Sequence, residues 1–485
     1  MDQILDGING IVWSNALIVL CAVTGIYFSF RTGFMQFRYI KLMVRLLFTG
    51  EKSDKGISPF QAFALAISGR VGTGNIVGVA TAIAMGGPGA VFWMWFIAIM
   101  GAASAFVEST LGQVYKQEID GEYRGGPAYY IEKGLGIKWY ALLFAFIIII
   151  SCGLLLPGVQ SNSIASAMNN AFNLPTSELA GVPINYMGIL VVLLLALIIF
   201  GGVKRLGKAS EIIVPFMAGI YILMALIIIG MNFEKIPEVL ELILSSAFSM
   251  NATFGGIMGS AIAWGIKRGI YSNEAGQGTA PHAAAASEVK HPAEQGLVQA
   301  FSVYIDTLFV CTATAFMILF TQQYNVVNEE NNQMIVEQIK GVDYTGFTQA
   351  AVAHHFPSIG NEFVAIALFF FAFTTIMAYY YYAETNIAYI IKDKRKRNFY
   401  VWILRAFFLV ATYFGTIKEA KTAWAIGDIG VGLMAWVNII AILLLSNVAI
   451  KVWKDYKKQR EMGIKDPIFD PEKIGVKNAT FWNKK

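Results

Sequence analysis

The stretch Ser68-Gly69-Arg70-Val71-Gly72-Thr73-Gly74-Asn75-Ile76-Val77-Gly78 sits halfway along an apolar segment running from Ser58 to Met85, and the fold turns on how it is read. Each glycine costs a helix about 1 kcal/mol relative to alanine, so Gly69, Gly72 and Gly74 together favour local unwinding. Lipid offers no water to unpaired backbone groups, so an interrupted helix survives in a bilayer only where protein packs around it or where it lines a cavity. Close packing of helices through small residues is the other reading of such a spacing. Arg70, Thr73 and Asn75 stand at the same depth and favour the interruption, because polar groups at mid-membrane are costly and mark functional positions. An unwound turn there exposes N–H groups of one half-helix, suited to a carboxylate, and C=O groups of the other, suited to a cation.

The whole chain supports a bilayer as its solvent. Its 485 residues are 56% hydrophobic and 14% charged, against about 25% charged in a soluble globular chain. Mean hydropathy is +0.56. With 46 glycines and 35 phenylalanines, the apolar surface exceeds what soluble cores would bury, and a polytopic membrane protein is expected. The net charge of +5 does not point to nucleic acid, since Lys and Arg fall in short clusters between apolar stretches. Cys21, Cys152 and Cys311 all lie in apolar stretches without CxxC spacing, which suggests neither a disulfide frame nor a zinc site. Asp2 and Asp6 precede the first apolar run, so that run reads as a retained helix and not as a signal peptide.

A spanning helix needs about 20 apolar residues. By that ruler, spans fall near 11–30, 58–85, 88–116, 139–172, 185–201, 209–231, 253–272, 295–321, 361–391, 398–416 and 424–450, which makes eleven. If the first runs from outside to inside, the inner loops hold Arg31 to Lys55 (Lys52 among them), Lys116 to Lys138, Lys204 to Lys208, Lys267, Arg268, Lys290, Lys392 to Arg397 and the C-terminal tail. Only Lys235, Lys340, Lys418 and Lys421 fall outside, while Arg70 and Arg405 lie within spans. The positive-inside rule then gives an outside N-terminus and a cytoplasmic C-terminus, and the cell (plasma) membrane is the expected location.

The chain accordingly divides into an extra N-terminal helix and basic inner loop (1–57), five helices (58–231), five more (253–450) and a basic tail (451–485), expected to be solvated or resting on anionic headgroups. The outer connection 322–360 is acidic, with an amphipathic stretch from Phe347 to Phe356, and suggests a partly helical cap. A second glycine-rich run, Phe254-Gly255-Gly256-Ile257-Met258-Gly259-Ser260-Ala261-Ile262-Ala263-Trp264-Gly265, falls in the seventh span. Without the first span, the interrupted helices are first and sixth of ten. Two five-helix halves then have opposite orientations, the inverted-repeat pattern of secondary transporters with binding at the midplane between facing breaks.

The quoted stretch, followed by Val79-Ala80-Thr81-Ala82-Ile83 and by Gly86-Gly87-Pro88-Gly89-Ala90-Val91-Phe92-Trp93-Met94-Trp95, resembles the alanine or glycine:cation symporter family. Arg124-Gly125-Gly126-Pro127 and Arg268-Gly269-Ile270-Tyr271-Ser272-Asn273-Glu274-Ala275-Gly276 carry the same resemblance, which covers roughly residues 10–450. It implies an all-α, leucine-transporter-like fold: one extra helix, then a 5+5 inverted-repeat core with broken first and sixth core helices. It also implies sodium-driven uptake of small neutral amino acids, alanine or glycine, by alternating access. Gly72, Thr73, Gly74, Asn75, Gln160, Gly259, Ser260 and Tyr379 would then meet the substrate. Sodium would meet the hydroxyls of Thr374 and Thr375 and C=O groups of Ser68 and Val71. Without the resemblance, a Thr-Thr pair in a span reads as hydroxyls bonded back to their own helix.

The resemblance implies a neutral amino acid, sodium and the lipid bilayer as partners. No organic cofactor, nucleic acid or obligate protein partner is expected. The chain departs from the family pattern at Arg70, where many relatives carry a small neutral residue, and at Tyr379, where tryptophan is common. A guanidinium at mid-span costs about 2.5–3.5 kcal/mol on insertion scales and calls for a partner. Asp306 in the eighth span and Glu108 in the third are the expected ones, with Arg70 either gating the inner path, touching a polar substrate side chain such as the glutamine amide, or forming a structural pair. Asp428 and Asn438 are further in-membrane polar candidates, Asp428 for gating, against a structural hydrogen-bond network. Glu384 and Arg405 lie near the inner boundary, where snorkelling accounts for them. The segment Ser272 to His291, with Glu274, His282, Glu288 and His291, lacks metal-site spacing and reads as an inner gate or amphipathic linker. No nucleophile or metal constellation of an enzyme is evident, and no charge ring of a channel. A carrier of glutamine or another neutral amino acid, a proton-coupled carrier and an exchanger are the alternatives.

Overall fold

A computed structural model describes residues 2–49, 55–175, 177–179, 182–200, 202–251, 253–329, 331 and 333–484. Lys52, assigned above to an inner loop, lies outside them. Among the described residues, eight helices are long and apolar enough to cross a membrane, and a bent pair, Pro59–Arg70 with Gly74–Gly86, makes a ninth if it counts as one span. The helix Tyr186–Ile199 is apolar but shorter. This is a multi-pass helical membrane protein. The only strands among the described residues form three two-stranded hairpins in the connections.

The bent pair is the quoted stretch. Ser58 starts its first half with a reciprocal cap: its hydroxyl accepts from the Gln61 N–H, and its own N–H donates to the Gln61 side chain. Pro59 follows at the first helical position, where its missing N–H costs nothing. The helix stops at Arg70, because Val71 turns to φ −77°, ψ 87°. It resumes as a wide π-helical turn, Gly74–Gly78, and an α-helix, Val79–Gly86, with the axis bent by 52°.

The second expected interruption is not where glycines 255 to 265 suggest. A short 3-10 turn, Gly255–Ile257, leads into an unbroken helix Met258–Asn273. Gly265 serves close packing instead: a Cβ there would come within 2.6 Å of the Trp93 side chain. The chain leaves the helix just past the expected end of the seventh span, at Glu274 to Thr279, where Glu274, Gly276 and Gly278 have φ of 55°, 85° and 83°. It resumes as Ala280–Ala286. Met258–Asn273 runs antiparallel to Gly74–Gly86, since Gly74 packs on Ser272 and Gly86 on Ala261. The segment read as a linker thus holds an interruption directly beside the first one.

Lys267 and Arg268 are not loop residues. They stand inside Met258–Asn273, and both bind Asp428 of the helix Ala420–Leu444, at 2.8 Å in each case. Trp264, one turn earlier, donates to Glu329 in the 325–337 hairpin region, so this ion cluster faces the end of the bundle that carries that hairpin. The connection also contains a helix, Phe347–His355, whose Phe347, Ala351 and Val352 are buried.

The tail is solvated only in part: residues 461–466 are exposed, whereas other stretches pack on the bundle. It begins within the helix Ser446–Glu461, which buries Val452, Trp453 and Tyr456. Phe469, Val476, Ala479 and Trp482 are then buried as the chain folds back over the opposite end of the bundle. Trp482 donates to the Gln113 carbonyl and the Phe469 N–H to that of Lys290. Lys116, wholly buried, places its ammonium 4.6 to 5.3 Å from the rings of Tyr123, Phe481 and Trp482. Apolar residues and π faces interleaved with the basic ones let a lysine-rich tail pack. His291 caps Pro292–Val303 by accepting from the Ala293 N–H and contacts Asp455 through its other nitrogen. Burial holds its imidazole below the usual histidine pKa, so it is neutral there. Burying Phe469 alone is worth roughly 1.5–3 kcal/mol. Truncation after Met462 is therefore expected to lower the melting temperature of the solubilised protein by several degrees; an unchanged melting curve would show that the strap contributes nothing.

Candidate functional site

The two interruptions meet polar side chains from several other helices. At the first, the Thr73 N–H donates to Gln160 Oε1 at 3.1 Å and the Gly72 N–H to Asn75 Oδ1 at 2.9 Å. Gln160 comes from the helix Leu156–Phe172. Gly72 has no room for a side chain: a Cβ would lie 2.9 Å from Gln160 Oε1 and closer still to the Thr375 hydroxyl.

Thr375, on the long helix Gly360–Ile390, reaches across to this point. Its hydroxyl lies 2.8 Å from the Ser68 carbonyl, 3.4 Å from that of Val71 and 3.0 Å from that of Phe371. These carbonyls belong to the last turn before the break and to the facing helix, and they converge as neutral, hard oxygens. Thr374 bonds back to the Phe370 and Phe371 carbonyls of its own helix and contacts the Met217 sulfur at 3.7 Å, away from the break. Tyr379, one turn further, is buried, its ring 6.4 Å from that of Tyr382.

Asn75 is held by Asp306, whose Oδ1 lies 2.6 Å from its amide nitrogen. Asp306 also accepts from Ser272 at 3.0 Å and Thr307 at 2.7 Å. It projects from a π-helical stretch, Tyr304–Cys311, whose widened turn tilts the carboxylate between the two interrupted helices. Glu108 holds the second interruption: its carboxylate accepts from the Gly276 and Gly278 N–H groups at 3.2 and 3.1 Å and from Asn438 at 2.8 Å. Asn438 also donates to the Gly276 carbonyl, so carboxylate and amide together clamp the non-helical backbone.

Arg70 does not take the partners expected of it. Its Nη1 donates to the Gln299 carbonyl at 3.1 Å and to the Ser302 hydroxyl. Neither Asp306 nor Glu108 hydrogen-bonds it; both are satisfied by neutral donors. Glu274 lies across the break from this segment: a Cβ on Gly69 would stand 3.1 Å from its Oε2. Gly259 and Ser260 are not brought to the site: Gly259 is exposed, nothing would touch a Cβ there, and Ser260 sits beside Gly86 at the far end of the helix pair. Asp428 lies with Arg268 and Lys267, one to two turns from the break at Asn273.

The expectations from sequence missed Ser272, Asn273 and the whole Glu274 to Thr279 turn. The available signal was Gly276 and Gly278 spaced two apart after an apolar helix, masked because the polar residues around them end the hydropathy window. Several buried polar atoms here have no protein partner among the described residues: Arg70 Nε and Nη2, Asn273 Nδ2, Glu274 Oε1 and Tyr382 OH. Buried polar groups are ordinarily satisfied. A concentration of such atoms at two helix breaks makes this the candidate site for a polar ligand or ion.

Unpaired polar atoms gathered at two antiparallel, interrupted helices inside a membrane bundle are the attributes of a carrier. The chain belongs to the sodium:alanine symporter family, whose model matches residues 1–471. The resemblance carried by the glycine-rich and Gly-Gly-Pro motifs is thereby shown. A putative sodium/proton-dependent alanine carrier protein of Bacillus subtilis, YrbD, is 58% identical over all of this chain and 98% of its own length. The sodium/proton-dependent alanine carrier protein of Bacillus sp. strain PS3 is 52% identical, covering 91% of this chain and 97% of its own. A probable sodium/glutamine symporter of Bacillus subtilis, GlnT, is 45% identical over 97% of this chain and 94% of its own.

Proposed function

We propose that this chain is a secondary carrier of the plasma membrane that uses the inward sodium gradient to take up alanine, glycine or a related small neutral amino acid. The observation that carries the reading is the Thr375 hydroxyl set among the Ser68, Val71 and Phe371 carbonyls at the helix break. Sodium favours such neutral oxygens, and the same unwound turn turns its N–H groups toward a substrate carboxylate. Gln160, now bound to the Thr73 N–H, is placed to exchange that bond for one to substrate. Alanine is favoured over glutamine by the identities of the two nearer relatives, 58% and 52%, whose names carry alanine.

On this reading the molecule has eleven spans, one extra helix and two inverted five-helix halves, with the tail end cytoplasmic. Arg268, Lys267 and Asp428 then form a gate on the outer side, and the strap of residues 463–484 covers the inner side. Sodium and substrate stabilise one closed state together, and the halves rock around the fixed site. Proton coupling is the second reading, favoured by the sodium/proton-dependent naming of the same relatives.

Thr375→Val keeps the shape and removes the hydroxyl. It is expected to raise the sodium concentration for half-maximal alanine uptake at least tenfold in proteoliposomes, while labelled glycine and glutamine define the substrate range. An unchanged sodium dependence would remove sodium from this position.

A further inference from the structure

Four ionisable side chains meet around the two interruptions, and their charges do not balance. Arg70, Glu108, Glu274 and Asp306 are all buried, and Glu274, Glu108 and Asp306 are the acids acting on Arg70. With every group ionised, one positive charge faces three negative ones. Buried charge without compensation is among the most costly arrangements in a protein. The cluster therefore needs cations that the polypeptide does not supply.

The three acids are not equivalent. Glu108 accepts two backbone N–H bonds and one amide bond. Asp306 accepts from an amide and two hydroxyls. Glu274 accepts only from the Thr279 hydroxyl, at 2.9 Å through Oε2, and its Oε1 has no partner among the described residues. Its left-handed backbone conformation at the helix end projects the carboxyl toward the first break, where a Cβ on Gly69 would lie 3.1 Å from Oε2. Tyr382 OH crowds the same glycine and is likewise without a partner.

We propose that Glu274 is a proton-binding site of the transport cycle. One sodium ion among the Ser68, Val71 and Thr375 oxygens and one proton on Glu274 make up the missing positive charge. A proton from water on one side adds to a lone pair of the Glu274 carboxylate, giving the neutral acid; after the carrier turns, it leaves to water on the other side, and no other bond changes. The groups facing Glu274 are Arg70 from Pro59–Arg70, Glu108 from the third span, Asp306 from the π-helical stretch, Tyr379 and Tyr382 from Gly360–Ile390, Cys152 and Tyr271. The His282 ring lies 5.5 Å from that of Tyr382, tilted by 35°, and is bonded to Asn386 and to the Thr279 carbonyl. None of these offers Glu274 a second hydrogen bond. The inference rests on the symport reading and adds to it a second coupling ion and the residue that carries it.

The test is the number of protons moved per amino acid. Full-length protein in proteoliposomes loaded with a fluorescent pH indicator is given labelled alanine, glycine or glutamine in sodium or in potassium buffer. Wild-type vesicles are expected to acidify inside as amino acid enters on sodium, and Glu274→Gln to lower the proton-to-substrate ratio at least tenfold. Where the Gln variant moves no amino acid, Glu274→Asp decides: it keeps the ratio and shifts the pH profile of uptake by at least half a unit. An unchanged ratio in Glu274→Gln, or an unshifted profile in Glu274→Asp, overturns the proposal. Wild-type vesicles that accumulate amino acid on sodium without moving protons overturn it and leave the symport reading intact. Vesicles that accumulate none of the three overturn the symport reading and, with it, the proton site.

Discussion

Gly72→Ala is expected to reduce alanine uptake at least a hundredfold while leaving a folded, membrane-inserted protein. The added methyl would sit 2.9 Å from Gln160 Oε1, 3.2 Å from Thr375 Cβ and closer still to the Thr375 hydroxyl. Those two side chains are held at the break by the Thr73 N–H and the Ser68 carbonyl. Restoring ordinary contact distances shifts both, the Thr375 hydroxyl most, and so misplaces the oxygens and N–H groups that meet ion and substrate; an error of about 1 Å in a site can cost a hundredfold in rate. Gly259→Ala is the matched control. Nothing lies near its Cβ, alanine is the better helix former, and uptake should not fall. If the two outcomes were exchanged, the substrate would lie at the glycine run of 255–265 and not at the break between Arg70 and Gly74.

Asp428→Ala is expected to lower stability by about 3–5 kcal/mol, the usual result of removing one partner from a buried ion pair. Asp428 is 5% exposed and binds Arg268, 3% exposed, through two parallel bonds of 2.8 and 2.9 Å; Lys267, 14% exposed, adds a third at 2.8 Å. Without the carboxylate, two cations remain together among the rings of Trp264, Tyr271 and Trp424. Aromatic faces offset a part of that repulsion, on the order of 1 kcal/mol each, and cannot neutralise it. The measurement is the melting temperature of purified protein with and without the change. A shift of less than a degree would mean that the three charges are well solvated and do not form a closed gate.

How legible the fold was depended on where its signal lay. Membrane residence followed directly from the balance of apolar and charged residues, and the first interruption from three glycines among polar residues at mid-segment. The second could not be placed by glycine density, because Gly265 is small for packing and Gly276 and Gly278 for a positive φ, and composition does not tell these causes apart. Lys267 and Arg268 look like loop residues until their counter-ion is seen 160 residues further along the chain in Asp428. The tail misled for a related reason: its charge is sequence-wide, whereas Phe469 and Trp482 bury themselves against elements more than a hundred residues away. Within the site, residues tied to the recognised motif (Thr73, Asn75, Ser68, Val71) stand at the break with Gln160 and Thr375. Arg70's true contacts, a backbone carbonyl and a serine, carry no sequence signal at all.

Equilibrium binding of labelled alanine to the purified wild-type protein, titrated with sodium against a potassium background, goes to the heart of the matter, with Gly72→Ala measured beside it. Saturable binding that tightens at least tenfold with sodium, and is lost in Gly72→Ala, is the expected result. Binding that is indifferent to sodium, or that survives unchanged in Gly72→Ala, would mean that ion and amino acid do not meet at the break between Arg70 and Gly74.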